Sequence, residues 1–377
     1  MAPSPSTRRL LARRPSARVG ALSLSLLLTL GMAGCGSSSD EPAAAQAGDL
    51  EADTDVVEEL DALYAEATKG DQSEVTVYLG GAPLDDVWKA FTARYPEITV
   101  KPVSVYGAEY ISKIEQEQSS GRVIADVVLQ GPSSVYGHVQ DGYFADFDPA
   151  SAKGVNEVGR DDDLDGTCVA PYGEAAALTY NTDKVSADEA PSSWDELADP
   201  KWKGRLVLPQ LDKPGTTSRT FGVLEENGVI DDAWLDALEA NQPVGVAEST
   251  MTGASVVSGK GDVGLGRQGT LVREIEKGAP LGIVYPMDSA SVISTYFGCV
   301  MDKAPNKAAG ELLASWLFTK EAQEALADAA YYPLIDGVAP LEPFPSIDEV
   351  TNFSTVPGKD EPRLIMLMTE KLKKRFG

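Results

Sequence analysis

Two short runs carry residue types that hold an anion or a carbonyl. Lys213-Pro-Gly-Thr-Thr-Ser218 stands where a helix starts and offers backbone N–H groups, the hydroxyls of Thr216 and Thr217, and one cation. An ordinary capped helix start reads the same way. Arg267-Gln268 follow a short strand and two glycines, and a polar pair at a strand–turn boundary faces the ligand end of an α/β sheet. A bland surface arginine is the competing reading. Gly264-Leu-Gly266-Arg-Gln-Gly269 also matches the dinucleotide fingerprint. It comes late in the chain rather than in an opening βαβ unit, so its glycines read as room for close backbone approach. Asp161-Asp-Asp163-Leu-Asp165-Gly166 matches the first half of a calcium loop. Tyr172 stands where the closing bidentate glutamate belongs, so an acidic turn is the better reading.

Enzymatic chemistry finds little support. There is one histidine, His138, inside a helical stretch and far from any serine–acid pairing. No Cys/His cluster has zinc spacing, and no cofactor is implied. Paired carboxylates abound in so acidic a chain and single out nothing.

The elements that must position these residues alternate. Val75 to Leu79, Ile98 to Val105 and Ala125 to Gln130 read as strands. Helical spacing fills Thr54 to Lys69, Leu84 to Tyr95, Tyr110 to Gln118 and the run to Gln140. Strands in that alternation build a sheet with βαβ crossovers, and ligands sit outside the carboxyl ends of such strands. Those ends carry Gly80, Gly81, Gln130, Gly131, Ser133 and Ser134. A second unit follows, with strands at Arg205–Leu208, Val244–Ala247, Asp262–Gly266 and Leu281–Tyr285. Between the units lies Thr167 to Asn181, two extended runs interrupted at Pro171-Tyr172-Gly173. The chain returns from Tyr296 through helices at Lys307–Leu317 and Lys320–Ala329, and ends in a helix containing Leu364, Ile365, Leu367 and Met368.

The first residues read as an export leader. Arg8, Arg9, Arg13, Arg14 and Arg18 precede the apolar run Val19 to Met32, and Ala33-Gly34-Cys35 resembles a bacterial lipobox, with Met32 where leucine is usual. Cys35 is then the lipidation site, and Glu41 to Gly48 a tether. The chain has a formal charge of −26, and the charged residues of the leader are all arginine, so the exported part is more acidic still. That argues against nucleic acid as a partner. Cys168 and Cys299 remain as a pair in an exported protein, each in a strand-like run, and are expected to form a disulfide.

The ordered stretches resemble bacterial extracellular solute-binding proteins of ABC importers. This is the two-lobed group that includes ferric-ion, thiamine, aminoethylphosphonate and polyamine binders. The resemblance is carried by Leu60-Asp-Ala-Leu-Tyr-Ala-Glu-Ala67, Ala125-Asp-Val-Val128, Pro171-Tyr-Gly-Glu174 with Leu178-Thr-Tyr-Asn181, Pro191-Ser-Ser-Trp-Asp-Glu-Leu197, Pro200-Lys-Trp-Lys-Gly-Arg205, Leu317-Phe-Thr-Lys-Glu-Ala-Gln323 and Tyr331-Tyr-Pro-Leu334. It implies an α/β, type 2 periplasmic-binding-protein fold, each lobe a mixed sheet flanked by helices, with the ligand cleft at the hinge. The implied organisation is a signal peptide over 1–34, then the lipidated Cys, linker and leading helix over 35–73. Lobe one is 74–166 with 300–340, lobe two is 167–299, and 341–377 is a C-terminal segment. The family's pocket loops fall on Gly81 and Ala82, Gln130 to Ser134, Tyr172 to Glu174, Lys213 to Thr217, Arg267-Gln268 and Asp288 to Ser291. The resemblance implies a monomer that receives a small molecule and delivers it to a membrane permease. Ferric-ion members place two adjacent tyrosines after the strand near Gly266; here Arg267-Gln268 stand there, and a cation beside Fe(III) is electrostatically unfavourable. Arg267 with Lys213 favours an anionic or zwitterionic organic ligand, such as a phosphonate, phosphoester or carboxylate. A ferric-ion binder and a sensor lipoprotein not coupled to import are the alternatives.

Overall fold

A computed structural model describes residues 50–81, 83–164, 166–286, 290–341, 344–346 and 358–377. Cys35 and the leader, Ala82, Asp165 and Asp288 lie outside the described residues.

The first lobe opens with α1 (Thr54–Lys69), whose buried Val56, Leu60, Tyr64 and Ala67 follow helical spacing. Then come β1 (Glu74–Leu79), α2 (Asp85–Arg94), β2 (Thr99–Ser104), α3 (Gly107–Ser120), β3 (Val127–Gln130) and α4 (Pro132–Gln140). α3 stops at Gly121, which takes the left-handed conformation (φ 68°) that favours glycine. β1 pairs in parallel with both β2 and β3, so the carboxyl ends at Gly80 and Gln130 point the same way.

The chain then enters β4 (Cys168–Asn181), a strand buried along nearly its whole length. The second lobe follows with α5 (Trp194–Leu197), β5 (Leu206–Pro209), α6 (Thr216–Glu226), α7 (Asp232–Ala240), β6 (Val244–Val246), α8 (Thr252–Val257), β7 (Val263–Arg267), α9 (Gln268–Glu276) and β8 (Leu281–Val284). The return is β9 (Ile293–Val300), α10 (Lys307–Trp316), α11 (Lys320–Asp328), β10 (Tyr332–Pro333) and α12 (Glu361–Phe376).

β4 joins the two sheets. Its first half pairs antiparallel with β9, and its second half with β7 and β8. β9 in turn continues antiparallel onto β3, which makes the first sheet mixed. The expected interruption at Pro171-Tyr172-Gly173 is absent, because β4 runs through it unbroken. Its register against β9 shifts between Val169 and Tyr172. Such an irregularity accommodates Pro171, which has no N–H for the ladder, and the Pro171 carbonyl accepts instead from Gln323 Nε2 at 2.7 Å. Gly173 has its own reason: a Cβ there would lie 2.6 Å from Ile293 Cγ2. The small residues mark a bulge and a close approach, which keep the strand intact across the hinge.

Apolar side chains form two main bodies. One gathers the helices and strands before β4 with Cys168, Val169, Tyr172, Tyr296, Phe297, Cys299 and the helices after β9. The other gathers Ala176 and Leu178 with four large aromatics, Trp194, Trp202, Phe221 and Trp234. β4 therefore divides between the two bodies along its length, while β9 packs into the first apart from Ile293. Met368 and Leu372 of α12 join the second. Cys168 and Cys299 are directly opposed in the ladder and form the expected disulfide.

α12 lies on α6 where Gly222 lets the backbones approach. A Cβ on Gly222 would stand 3.2 Å from the Leu364 carbonyl oxygen. The Glu361 carboxylate, nearly inaccessible, accepts from Arg219 Nε at 2.6 Å, and Lys371 reaches Glu225 at 2.6 Å. Gly222→Val is expected to cost about 1–3 kcal/mol by overpacking this crossing. Chemical denaturation with an unchanged slope and a lower midpoint would verify it.

Candidate functional site

The site is built where β4 passes from one sheet to the other. Residues 172, 174 and 176 of β4 share a face, since side chains alternate along a strand. Tyr172 stands opposite Tyr296 of β9, and Ala176 opposite Arg267 at the end of β7. One face of the junction thus carries Tyr172, Glu174, Tyr296 and Arg267.

Glu174 is the centre of this cluster, its side chain 1% exposed. Arg267 Nη2 forms an ion pair with its carboxylate. Gly269 N donates to Oε1 at 3.2 Å, and Tyr296 Oη donates to Oε2 at 3.3 Å. Gly269 lies in the first turn of α9, where unpaired N–H groups and the helix dipole favour a negative charge. A Cβ on Gly269 would crowd Glu174 Oε1 at 3.2 Å, so the glycine is what lets the carboxylate in.

Arg267 is the partly open member, with 25% of its side chain exposed. Its guanidinium lies over the Tyr296 ring at 5.5 Å. Its remaining N–H groups have no protein acceptor among the described residues. Tyr296 stacks on Tyr172 at 5.0 Å, and Tyr331 meets Tyr172 edge-on at 4.8 Å. The turn after β1 approaches the Tyr296 ring: a Cβ on Gly81 would lie 3.2 Å from it. Burial, with Tyr331 and Glu174 alongside, pushes the Tyr172 phenol well above its ordinary value and keeps it protonated. The arrangement can present a fixed guanidinium edge on an aromatic floor. It contains no nucleophile–base pair.

A family model described as bacterial extracellular solute-binding protein matches residues 86–352. The chain belongs to this family. Among curated relatives, Iron uptake protein A1 of Synechocystis is 26% identical over 318 residues, covering 79% of this chain and 86% of that one. A Salmonella typhimurium periplasmic protein named for 2-aminoethylphosphonate binding is 27% identical over 300 residues, covering 74% and 84%. Among solved structures, iron-bound HitA from Pseudomonas aeruginosa superposes with a TM-score of 0.66 at 17% identity, covering 80% of this chain and 99% of that one. A substrate-binding protein of an ABC transporter from Agrobacterium tumefaciens gives 0.66 at 18% identity, covering 80% and 96%. At those identities the structures establish the two-lobed fold alone.

The other residues expected in this solute-binding protein's pocket have varied placements. Gln268 is fully buried; its Oε1 accepts from Ala175 N at 3.3 Å, and its Nε2 has no partner among the described residues. Ser291 Oγ is likewise buried and unpartnered there. Gln130 braces lobe one, donating to the carbonyls of Tyr78 at 3.2 Å and Val105 at 2.9 Å. Gly131 caps α4, followed by Pro132 and the half-buried Ser133 and Ser134.

The run at Lys213 is internally matched. Lys213 pairs with Glu248 at 2.7 Å, and that bond raises its pKa. Thr216 N donates to Gln210 Oε1 at 2.8 Å, Gly215 N to Ser218 Oγ at 2.9 Å, and the buried Thr217 hydroxyl to the Pro209 carbonyl at 2.5 Å. Gly215 is required there, because a Cβ would stand 2.1 Å from Gln210 Oε1.

Sequence reasoning missed Tyr296, Tyr331 and Gly269. The disulfide register was a usable signal for Tyr296. Cys168 opposite Cys299 puts Tyr172 near residues 295 and 296, and the register shift selects 296.

His138, the chain's single histidine, belongs to the first lobe's core rather than to this cluster. Its Nδ1 is 3.3 Å from Tyr110 Oη, and it stacks on Tyr143 at 5.5 Å. Burial lowers its pKa below the ordinary 6.5, opposed in part by Asp141 and Glu115. A group with a depressed folded value favours the neutral form in the fold. Its contribution to stability is complete above 6.5 and is lost as pH falls below that value. The single imidazole resonance is expected to titrate below 6.5 by NMR, and His138→Phe to remove that part of the acid sensitivity.

The acidic turn at 161–166 makes no calcium-like cluster among the described residues. Asp161 accepts from Asp163 N at 3.0 Å and from Gly358 N at 2.9 Å, which fastens the segment before α12.

Proposed function

We propose that this binding protein captures a small anionic or zwitterionic organic solute, such as a phosphonate, phosphoester or carboxylate, and delivers it to an ABC permease. In this reading it works as a monomer without enzymatic activity, held at the outer face of the membrane through lipid on Cys35. The observation that carries it is Arg267. A guanidinium fixed over an aromatic ring at the lobe junction, with N–H groups that have no acceptor among the described residues, suits bidentate recognition of a carboxylate or phosphonate. The relative named for 2-aminoethylphosphonate binding supports the same class of ligand.

Ferric ion is the second reading, favoured by the relative named for iron uptake. Against it, Arg267 places a cation at the lobe junction, which is electrostatically unfavourable beside Fe(III). A thermal-shift panel of phosphonates, phosphosugars, polyamines, thiamine and ferric salts separates the two. Stabilisation by phosphonates that disappears in Arg267→Gln supports the proposal. Stabilisation by ferric salts that survives this change and is lost in tyrosine variants overturns it.

A further inference from the structure

We propose that Glu174 sets the charge preference of the cleft: it cancels the formal charge of Arg267 and closes the end of α9, so that the site loses the preference for a bare anion over a zwitterion that an unpaired Arg267 would give it. This rests on the reading of Arg267 as a ligand contact.

The geometry gives Glu174 two roles beyond holding an arginine. First, it occupies an anion site. Arg267 and the first turn of α9 would together hold an incoming carboxylate or phosphonate, but Gly269 N already donates to Glu174 Oε1 at 3.2 Å. Second, it is pinned there. Arg267, Gly269 and Tyr296 bind it from three elements, and its side chain is 1% exposed, so it cannot swing out to meet the ligand.

The cleft therefore presents the outer edge of a neutral ion pair. Attraction between such a pair and an anion falls off faster with distance than attraction to a lone cation. A ligand anion must dock directly on the free guanidinium edge, and extra negative charge elsewhere on it gains little. A ligand ammonium meets the same cancelled pair, so it escapes the repulsion that an unpaired Arg267 would exert in a poorly screened site. Lys213 adds no compensating free cation at the rim, being paired with Glu248 at 2.7 Å.

A matched pair of ligands tests this: 2-aminoethylphosphonate and ethylphosphonate, with the same phosphonate and with or without the ammonium. Calorimetric titration of the wild-type protein is expected to show affinities for the two ligands within about threefold of one another. In Glu174→Gln, close to isosteric and still able to accept from Gly269 N, the ratio shifts at least about tenfold toward ethylphosphonate, because a pair charge removed from a poorly screened site weakens the ammonium and strengthens the bare anion. Glu174→Asp, which keeps the charge, retains the wild-type ratio. A ratio unchanged in Glu174→Gln, or shifted equally in Glu174→Asp, overturns the inference and leaves Glu174 a structural brace. A second readout needs no organic ligand. Sulfate raises the melting temperature of Glu174→Ala, which leaves the Gly269 N–H unclaimed, but not of the wild type at matched ionic strength; equal responses overturn the inference. If the wild type binds neither phosphonate, the functional reading of Arg267 fails, and the sulfate comparison still decides whether Glu174 blocks an anion site.

Discussion

Arg267→Gln is expected to weaken capture of phosphonates about 100-fold and to lower the stability of the protein by about 3 kcal/mol. The two effects have one cause. Arg267 is the proposed ligand contact and also the charge partner of a carboxylate sealed from water. Removing one member of a buried pair leaves the other desolvated and unpaired, which costs about 3–5 kcal/mol. The lower end applies because a quarter of the Arg267 side chain is open to solvent. Loss of a charge-assisted bidentate contact lowers affinity by about 100-fold, on the scale of breaking hydrogen bonds to charged groups. Denaturant melts and titrations of the same preparation measure both. The double change Arg267→Gln with Glu174→Gln is expected to recover most of the stability and none of the binding, since it removes the orphaned charge but restores no guanidinium.

Converting Cys168 and Cys299 to alanine should destabilise the protein by about 2–5 kcal/mol. The bond joins positions 131 residues apart, and chain-entropy arguments give the largest effects to long rings, about 5 kcal/mol at this length. Both sulfurs are buried in the first lobe's core, so two small cavities form as well. The consequence reaches the site. β4 and β9 are held in register at Cys168–Cys299 on one side of the shift, and at Tyr172–Tyr296 on the other. Without the bond, the β9 ladder must keep Tyr296 against Glu174 by itself. Affinity is expected to fall far less than for Arg267→Gln, because Tyr296 stays stacked on Tyr172. Melting in the presence and absence of reductant gives the stability term, and the double-alanine variant shows whether reductant acts elsewhere.

The order of elements was legible in the sequence because each is specified locally: Val75 to Leu79 by a β run, Thr54 to Lys69 by helical spacing, α3 by Gly121. The pairing of Cys168 with Cys299 was legible for a different reason, since an exported chain with two such cysteines in strand-like runs has few alternatives. What escaped the sequence depends on contacts between distant residues. Pro171-Tyr172-Gly173 looks like a break because proline and glycine punctuate strands locally. Only the partner strand reveals that they form a bulge in an unbroken one. Arg267 and Lys213 read as two free cations favouring an anion. Their carboxylates, Glu174 and Glu248, lie 93 and 35 residues away, and no local rule finds them in a chain with 58 acidic residues. Of the two cations, Arg267 alone is placed at the lobe junction with its edge unclaimed among the described residues. At Lys213 to Thr217, the Thr216 N–H and the Thr217 hydroxyl are taken up by Gln210 and Pro209, while Lys213 pairs with Glu248 at the surface.

The central claim is that an organic solute with an acidic group is captured on the Arg267–Tyr296 floor where β4 crosses between lobes. Calorimetric titration of the purified protein with 2-aminoethylphosphonate, run beside ferric citrate and repeated on Arg267→Gln, tests it most directly. Saturable one-to-one binding of the phosphonate is expected for the wild type, weakened about 100-fold in the variant. Tight binding of ferric citrate with no response to the phosphonate, left intact by Arg267→Gln, would contradict it.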